Sequence, residues 1–409
     1  MILYCRIFCL KITAIRYQGK RMRKQYIVKH KNHDVLLFDM DDENFNILNI
    51  GEIIDKERLP FGLPDTGNIA QCAIQLNAWI KGRGLPDTRK DINKIKNLFR
   101  VNDKTELIVK SYGLNLTDHY WVHKTEELPK WEQVNYFDNV FDEVKQKGNY
   151  DPVIDKSVNS PSPNFCVDGS IEKRWVIIDG ERFLLKGSRY AVMQEPFNEM
   201  IASLIMDEFG VEHVNYRLKR TGEGIPYSEC KTMSDRTVEF INAQWVINKE
   251  YSGTKELYEH FIEICGKNGI SGVKGKLDSM IALDFLMGNE DRHRGNFGIL
   301  RNADTLEWVD IAPLFDNGNS LFFDRGNEDI NNWGIDSLGK AFGDSNRLQL
   351  NVINNPDWYS SGKGNKLVDI VEYGLKLNEK LLSGRIEKTI EITKKRKDVF
   401  EGVLKNKQR

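Results

Sequence analysis

The sequence predicts an α+β protein with a β-rich lobe, a mainly helical lobe and an additional α/β region ahead of both. At 409 residues the chain is long enough for two or three domains. Short apolar runs bounded by turn residues extend to about Lys231, and beyond Asp235 the apolar residues recur mainly at helical spacing. This change of period predicts domains at 1–150, 151–237 and 238–409.

The first boundary rests on a segment of turn-forming residues. Residues 155–164 contain two prolines and three serines and have no apolar period, which is typical of a loop or linker. Ahead of it, short apolar runs such as 35–38 alternate with a helical stretch near 68–80. This pattern predicts a folded accessory region at 1–150, and its residues do not indicate a role.

The β-rich lobe is expected to begin with a hairpin that is followed by a helix. Asp179-Gly180 favours a tight turn because both positions tolerate positive φ. Pro196 in the first turn and Gly210 at the end delimit a run of apolar residues at helical spacing. The predicted strands of this lobe are 175–178, 183–186, 214–219 and 226–231.

The helical lobe is expected to consist of helices on either side of a polar loop. Apolar residues recur at helical spacing before that loop and again in the C-terminal tail. The basic run at 394–397 is interpreted as a solvated helix face, not as a binding patch. The predicted helices are 238–247, 256–265, 274–287 and those within 366–405.

Charge and cysteine content exclude several classes of protein. With 59 basic and 60 acidic side chains the net charge is -1, whereas nucleic-acid binders normally carry a basic excess. The six cysteines show no CxxC pair and no disulfide or zinc spacing, so a reducing, cytoplasmic location is expected.

The apolar run 2–15 is interrupted by Arg6 and Lys11 and falls short of the ~20 residues that span a bilayer. No membrane anchor is expected.

The polar loop contains side chains that phosphoryl transfer needs. Transfer from ATP requires a carboxylate to position the attacking hydroxyl, ligands for Mg²⁺ and a lysine to clamp the phosphates. Within Asp-Arg-His-Arg-Gly-Asn, Asp291 and Asn296 have the spacing of a catalytic base and a metal ligand. Asp316 leaves a predicted strand into Asn-Gly, where a second Mg²⁺ ligand is expected. His293 is expected to brace the loop through a hydrogen bond and not to act as the base.

Residues upstream of the loop complete this catalytic set. Lys186 ends a predicted strand and is assigned to clamping the α- and β-phosphates. Glu199 on the next helix is the preferred partner of Lys186, although Glu195, one turn earlier, could take the same role. Gly169 and Ser170 lie in a turn-prone segment before the strand, and backbone N–H groups of such a turn can cradle phosphates.

Two further patterns are interpreted as structural. The segment from Gly334 to Lys340 imitates a phosphate-binding loop, but Ala341 stands where a magnesium-binding Ser or Thr is required, and no strand precedes it. His119 and His123 could ligate a metal, yet the sequence offers no evident third ligand. Neither pattern is therefore assigned to the catalytic site.

The loop motif and the segment that follows it resemble those of the HipA-like serine/threonine kinases of bacteria. The similarity lies in Asp291-Arg-His-Arg-Gly-Asn-Phe-Gly and in Ala-Pro-Leu-Phe-Asp316-Asn-Gly. It extends over about 165–345 and includes Leu-Leu-Lys186-Gly and Asn-Glu199-Met-Ile-Ala. The resemblance implies a protein-kinase-like two-lobed fold, the cofactors ATP and Mg²⁺, and transfer to a Ser or Thr of a protein substrate.

The resemblance also implies roles for individual residues. Asp291 would be the base, and Asn296 and Asp316 would hold the metal. The adenine would bind to backbone groups of the connector between the lobes, about Glu229 to Met233.

Regulation and partners follow from the same resemblance. It implies autophosphorylation of a serine, either Ser170 in the phosphate loop or Ser157, Ser160 or Ser162 in the linker. It also implies an antitoxin-like partner in a toxin-antitoxin pair. The region before residue 150 is expected to depart from the HipA N-terminal subdomain that contacts such a partner.

Two other functions are compatible with these motifs. Phosphoinositide-kinase-like lipid or small-molecule kinases share the Asp-Arg-His-x-x-Asn loop, but residues 325–346 lack a basic, membrane-facing run. A catalytically inactive binding scaffold would keep the fold alone, and the intact set of Lys186, Asp291, Asn296 and Asp316 argues against it. The sequence favours an ATP-dependent serine/threonine kinase with a protein substrate, no direct nucleic-acid contact and no membrane contact.

Overall fold

Three parts follow one another along the chain: an N-terminal sheet domain, a β-rich lobe and a helical lobe. The structure is a computed structural model that describes residues 23–63, 68–86, 92–141, 162–165, 171, 173–248, 253, 256–343, 345–353 and 358–407. The predicted phosphate turn with Gly169 and Ser170, and the linker residues Ser157 and Ser160, lie outside the described residues. The observed architecture confirms the predicted α+β class.

The N-terminal domain is an antiparallel sheet with helices packed against it. Its strands are β1 (Arg23–His30), β2 (His33–Asp41), β3 (Ile47–Ile53) and β4 (Tyr120–Lys124), in the order β3-β2-β1-β4. Its helices are α1 (Ile69–Lys81), α2 (Ile92–Phe99), α3 (Lys104–Lys110) and α4 (Trp131–Val134). Leu76 and Trp79 of α1 are buried in one cluster with Tyr26 and Phe38 of the sheet, and this contact joins helix and sheet.

The β-rich lobe contains the predicted hairpin and helix. Its strands are β5 (Lys173–Ile178), β6 (Glu181–Lys186), β7 (Tyr216–Arg220) and β8 (Pro226–Lys231), in the order β5-β6-β8-β7. Asp179 and Gly180 both have positive φ, 52° and 81°, as the predicted tight turn requires. Helix α5 (Glu195–Phe209) ends at Gly210, whose left-handed φ of 70° lets its N–H return to the helix carbonyls.

The predicted helix at 238–247 is wrong in its first half. Residues Val238–Asn242 form strand β9, and the short helix α6 (Ala243–Asn248) follows. Strand β9 pairs with β10 (Gly298–Asn302), which pairs with β11 (Trp308–Ile311). A Cβ atom on Gly298 would lie 2.1 Å from the carbonyl oxygen of Ile241, so this pairing requires glycine. The partner strand lies far along the chain, where local spacing gives no hint of it.

The helical lobe surrounds one long buried helix. Its helices are α7 (Leu257–Lys267), α8 (Val273–Met287), α9 (Asn327–Trp333), α10 (Asn346–Gln349), α11 (Ser361–Lys376) and α12 (Ser383–Lys407). Helix α8 is buried at every position from Leu277 to Met287, because α7, α11 and α12 contribute Phe261, Leu367 and Phe400 to the same core. The predicted tail helices are confirmed by α11 and α12.

The basic run in α12 is only partly a solvated face. Lys395 is exposed, as predicted, and it pairs with Glu391 one turn earlier. Arg396, in contrast, is fully buried and donates hydrogen bonds to the carbonyl oxygens of Gly334 and Phe285. The prediction fails at this position because a guanidinium can be buried when its N–H groups donate to buried carbonyl oxygens. The pattern of charges in the sequence gives no sign of those carbonyl groups.

None of the described helices combines the length and apolar character needed to cross a membrane.

Candidate active site

The predicted catalytic loop begins where the buried helix α8 ends. Gly288 closes the helix in the left-handed conformation, with φ of 65°, and turns the chain toward the lobe interface. The backbone N–H of Asp291 donates to Asn289 Oδ1 at 3.0 Å, and Asn296 Nδ2 donates to the carbonyl oxygen of Asp291 at 2.9 Å. These two bonds close the loop on itself and fix Asp291 relative to Asn296.

A buried arginine joins this loop to the segment that carries Asp316. The Arg292 guanidinium forms an ion pair with Asp284 of α8 at 3.0 Å. It also donates to the carbonyl oxygens of Asn296 and Phe315 and, at 2.6 Å, to Asn317 Oδ1. Burial alone would lower the pKa of Arg292, but the Asp284 charge outweighs this effect and raises it. Arg292 is therefore a positioning residue, a role for which the sequence analysis does not select it.

A cluster of one cation and two carboxylates lies next to the segment that Arg292 holds. It consists of Lys186, Glu199 and Asp316. Lys186 Nζ donates to Glu199 Oε1 and, at 2.6 Å, to Asp316 Oδ1. The Asn317 N–H donates to the other Glu199 oxygen at 2.8 Å, so helix α5 holds the Asp316 segment directly. Asp316 itself is in the left-handed region, with φ of 58°, which is uncommon for a residue other than glycine.

The electrostatics of this trio depend on burial and on charge. Burial alone would lower the pKa of Lys186, but the two carboxylates outweigh it and raise the pKa above its ordinary value. Burial opposes ionisation of Asp316, yet Lys186 and the neighbouring cations hold the pKa of this carboxyl below its usual range. Burial raises the pKa of Glu199, an effect that contact with Lys186 opposes. Lys186 is therefore a fixed cation and Asp316 a fixed anion at neutral pH.

Glu195, the alternative partner of Lys186, lies elsewhere. Its carboxylate accepts hydrogen bonds from Ser188 Oγ and, at 3.0 Å, from the Arg189 N–H. The two glutamates are about one helical turn apart on α5, and the structure brings only Glu199 to Lys186.

The Asp291 carboxylate is held by two residues that the sequence analysis misses. Asn319 Nδ2 donates to Asp291 Oδ2 at 2.5 Å, and Lys340 Nζ lies 2.8 Å from Asp291 Oδ1. Asn319 accepts in turn from the Arg189 guanidinium, which fixes the orientation of its amide. His293 is exposed and accepts the Gly295 N–H at 3.0 Å, an arrangement that fits a bracing role within the loop.

Two adjoining cavities open beside these residues. The larger, of about 480 Å³, is lined by Asp291, Asn296 and Asp316. The smaller, of about 160 Å³, has walls from the β-rich lobe and from the C-terminal half. Its lining includes Trp175, Leu184, Lys186, Tyr216, Cys230, Met233, Phe240, Phe315 and Asp316. Met233 and Asp316 line both cavities, so the two spaces meet at the junction of the lobes.

The lining suits the two ends of a nucleotide. Aromatic and aliphatic side chains with a few polar groups are typical of a pocket for a flat apolar ring, and Lys186 and Asp316 are among the polar residues that line this cavity. Carboxylate and amide oxygens are the ligands that Mg²⁺ prefers, and Asp316 and Asn296 line the same cavity.

One proposed nucleotide contact does not line either cavity. Glu229 lies in β8, paired with Arg217 across the sheet, and its carboxylate is 3.9 Å from Lys219 Nζ. Met233, at the other end of the predicted connector, lines both cavities.

The histidines excluded as a metal site have other partners. His119 Nδ1 and His30 Nε2 lie 3.3 Å and 3.1 Å from the same oxygen of Glu239, and Arg301 pairs with the other oxygen. His123 instead lies beside Lys124 O, at 2.8 Å from Nδ1. The guanidinium already neutralises Glu239, so this buried cluster is best described as an ion-pair network that joins the N-terminal domain to β9 and β10.

Comparison with known proteins finds similarity to bacterial serine/threonine kinases. The sequence matches no model of a known protein family. The serine/threonine-protein kinase CtkA of Helicobacter pylori is 31% identical over 139 residues, which are 31% of this chain and 40% of CtkA. The match thus spans less than half of the length of this relative.

The solved structure of a HipA protein shows the same fold over a longer stretch. HipA from Shewanella oneidensis MR-1, in its toxin-antitoxin complex with HipB and operator DNA, aligns with a TM-score of 0.55 at 11% identity, over 94% of this chain and 99% of that chain. The proinflammatory kinase CtkA of Helicobacter pylori aligns with a TM-score of 0.45 at 18% identity, over 58% of this chain and 94% of that chain.

The extent of the HipA alignment bears on the N-terminal domain. Because it covers 94% of this chain, it must extend into the N-terminal domain, where the sequence analysis expects a departure from HipA. The identity over the whole alignment is only 11%, which explains why the sequence does not reveal the likeness. This chain therefore has the protein-kinase-like α+β fold of the HipA- and CtkA-like bacterial serine/threonine kinases.

Proposed function

We propose that this chain is an ATP-dependent serine/threonine protein kinase that uses Mg²⁺. The observation that carries the proposal is the convergence of four side chains, distant in sequence, at one lobe junction. Lys186 bonds to Asp316, and Asp291, Asn296 and Asp316 line one cavity. A lysine, a positioned carboxylate and two oxygen ligands are the parts that phosphoryl transfer requires.

Each residue has a definite role in this proposal. Lys186 would contact the α- and β-phosphates, and Glu199 would hold its ammonium in place. Asn296 and Asp316 would hold Mg²⁺, which supplies charge neutralisation at the phosphates when bound. Asp291 would accept the hydrogen bond of the acceptor hydroxyl and orient its oxygen, and Asn319 fixes the carboxylate for this task.

Autophosphorylation is the first reaction to consider, because the resemblance to HipA-like kinases implies it. Of the candidate serines, Ser162 is fully buried and its Oγ accepts the Asn164 N–H at 3.2 Å, so it is out of reach in this conformation. Ser157, Ser160 and Ser170 remain candidates. An antitoxin-like protein partner is proposed from the same likeness, since HipA was solved together with HipB.

A small-molecule acceptor is the second candidate, and the shape of the cleft favours it. The N-terminal domain closes one side of the larger cavity with Phe61, Trp79 and Arg83. The volume of about 480 Å³ falls within the range of pockets that enclose small ligands. A protein substrate would have to present its hydroxyl on a protruding loop or an extended segment.

Labelled ATP distinguishes these candidates. Purified protein is incubated with Mg²⁺ and γ-labelled ATP, alone and with mixtures of proteins, small hydroxyl compounds and lipid vesicles. We expect label on serine or threonine of a protein, and none with the Asp291→Asn variant. Label confined to small molecules or lipids would reject the protein-kinase proposal, and equal labelling by Asp291→Asn would reject the assigned site.

A further inference from the structure

The proposed function assigns no role to Lys340, the cation next to Asp291. Lys340 Nζ lies 2.8 Å from Asp291 Oδ1, and both side chains are partly exposed, at 45% and 31%. Lys340 belongs to the glycine-flanked segment between α9 and α10, which the sequence analysis sets aside as an imitation of a phosphate-binding loop. The fold places this lysine beside the catalytic loop.

The segment that carries Lys340 is packed tightly against its surroundings. A Cβ atom on Gly339 would lie 2.0 Å from Gln349 Nε2 and 2.7 Å from the Asn346 nitrogen, so glycine permits this close approach. On the other side, Ala341 is buried, and its carbonyl oxygen accepts a hydrogen bond from Arg294 of the catalytic loop at 3.2 Å. The backbone on both sides of Lys340 is therefore fixed relative to the loop.

A cation at this position suits phosphoryl transfer. Phosphoryl transfer depends mainly on positioning and on stabilising charge on the phosphoryl oxygens. Lys186 is committed to the buried side of the site by its bonds to Glu199 and Asp316, whereas Lys340 approaches from the exposed side.

We propose that Lys340 is a further catalytic residue that contacts the phosphoryl group as it passes to the acceptor. This inference rests on the proposed kinase function. In the transfer, the acceptor oxygen forms a bond to the γ-phosphorus while the bond to the β,γ-bridging oxygen breaks, and ADP leaves with the electron pair. The hydroxyl proton passes to Asp291. Lys340 keeps its proton throughout and neutralises charge on the equatorial oxygens.

The experiment compares Lys340→Met and Lys340→Arg with Lys366→Met as a matched control. Lys366 is also an exposed lysine paired with a carboxylate, Glu208, but on the outer face of α11. Two quantities are measured for each protein: the rate of phosphoryl transfer at saturating ATP, and the affinities for ADP and for ADP with aluminium fluoride, which imitates the transferring phosphoryl group. Thermal unfolding checks that each variant is folded.

For Lys340→Met we expect ADP affinity within about twofold of the unmodified protein and a rate lower by about 10²- to 10³-fold, the usual effect of removing one donor to a developing charge. The extra affinity for ADP with aluminium fluoride should be lost. Lys340→Arg should recover part of both quantities, and Lys366→Met should change neither.

Three outcomes overturn the inference, and they separate it from the proposed function. If Lys340→Met transfers phosphate within threefold of the unmodified rate, Lys340 is not catalytic. If it loses affinity for ADP and for the aluminium fluoride complex equally, Lys340 has only a structural role. If the unmodified protein transfers no phosphate and gains no affinity from aluminium fluoride, the proposed function itself is wrong.

Discussion

Lys186 is a buried cation between two carboxylates, and this charge balance determines how the trio behaves. One positive charge faces Glu199 and Asp316 in a position where the lysine side chain is only 4% exposed. The trio carries a net charge of −1 when all three groups are ionised, and this excess of negative charge suits a divalent cation beside Asp316. Glu199 orients the lysine, and Asp316 is the carboxylate that also faces the larger cavity.

The two glutamates of α5 allow a matched test of this arrangement. Glu199→Gln removes the charge that holds Lys186, so we expect phosphoryl transfer to fall by about tenfold or more, because a misplaced lysine no longer positions the phosphates. Glu195→Gln changes the same residue type one turn away, where the carboxylate bonds to Ser188 and Arg189, and should have a smaller effect. Steady-state rates at saturating ATP provide the comparison. A larger loss in Glu195→Gln would contradict the assignment of Glu199.

The thiol of Cys230 in the smaller cavity should be unreactive at neutral pH. Burial raises its pKa to about 12, against an ordinary value near 9, so almost none of it is thiolate at pH 8. We expect iodoacetamide to alkylate Cys230 much more slowly in the folded protein than in urea, and the folded-state rate to rise with pH well above 9. Peptide mapping by mass spectrometry measures both rates. Equal rates in folded and unfolded protein at pH 8 would show that the thiol is not buried.

At this scale the sequence predicts the residues that follow local patterns and misses their partners. Lys186 ends a strand, Asp291 lies in a polar loop after a helix, and Asp316 precedes Asn-Gly, so each has a local signature. Asn319 has none, and Lys340 lies in the glycine-flanked segment that the sequence pattern led us to interpret as structural. They contact Asp291 only because the fold brings separate segments together, and a single sequence contains no measure of that distance.

The element that organises the site is the end of α8 together with the loop that follows it. Arg292 connects Asp284 of that helix with the backbone of the loop and with the segment around Asp316. The guanidinium and its carboxylate are both buried. Removing one partner therefore costs more stability than the intact pair contributes, because the other charge is left buried without a partner.

Replacing Arg292 should therefore destabilise the protein more than removing the pair. Arg292→Met leaves Asp284 buried without its partner, and we expect a loss of about 3–5 kcal/mol in the free energy of unfolding. The double variant Asp284→Leu with Arg292→Met removes both charges and should recover a substantial part of that loss. Urea denaturation measures the difference. A loss of less than about 1 kcal/mol in the free energy of unfolding for Arg292→Met would show that the pair of Arg292 and Asp284 does not support the loop.

Elements with strong local patterns could be predicted, and those that depend on distant partners could not. The hairpin at Asp179-Gly180 and the helix that ends at Gly210 follow from turn and capping chemistry alone. The sequence predicts a helix where strand β9 forms, because the apolar residues of this segment fit the period of a helix as well as that of a strand. Pairing with β10 makes the segment a strand.

At the scale of the whole molecule, the N-terminal domain is joined to the rest through a buried charge cluster. Glu239 of β9 is fully buried and contacts His30 and His119 from the N-terminal domain as well as Arg301 of β10. The same domain walls the larger cavity with Phe61 and other side chains. The contacts that hold the N-terminal domain in place therefore also hold one wall of the larger cavity.

Breaking this cluster should weaken both the fold and the cleft. Glu239→Ala leaves Arg301 buried without its carboxylate, so we expect a loss of about 3–5 kcal/mol in unfolding free energy. We also expect a separate, earlier transition of the N-terminal domain in calorimetry. Glu212→Ala removes an exposed carboxylate that pairs with Lys276 and should cost about 0–1 kcal/mol. A single, unshifted transition for Glu239→Ala would contradict the linkage.

The position of a bound divalent cation is the sharpest test of the proposal that Asn296 and Asp316 hold Mg²⁺ beside Lys186 and Asp291. Crystals grown with a non-hydrolysable ATP analogue and Mn²⁺, which replaces Mg²⁺ and scatters anomalously, show where the cation binds. We expect manganese between Asn296 and Asp316, with the phosphates against Lys186 and the terminal phosphate facing Asp291. Manganese bound instead at His30, His119 and Glu239, or phosphates distant from Lys186, would contradict it.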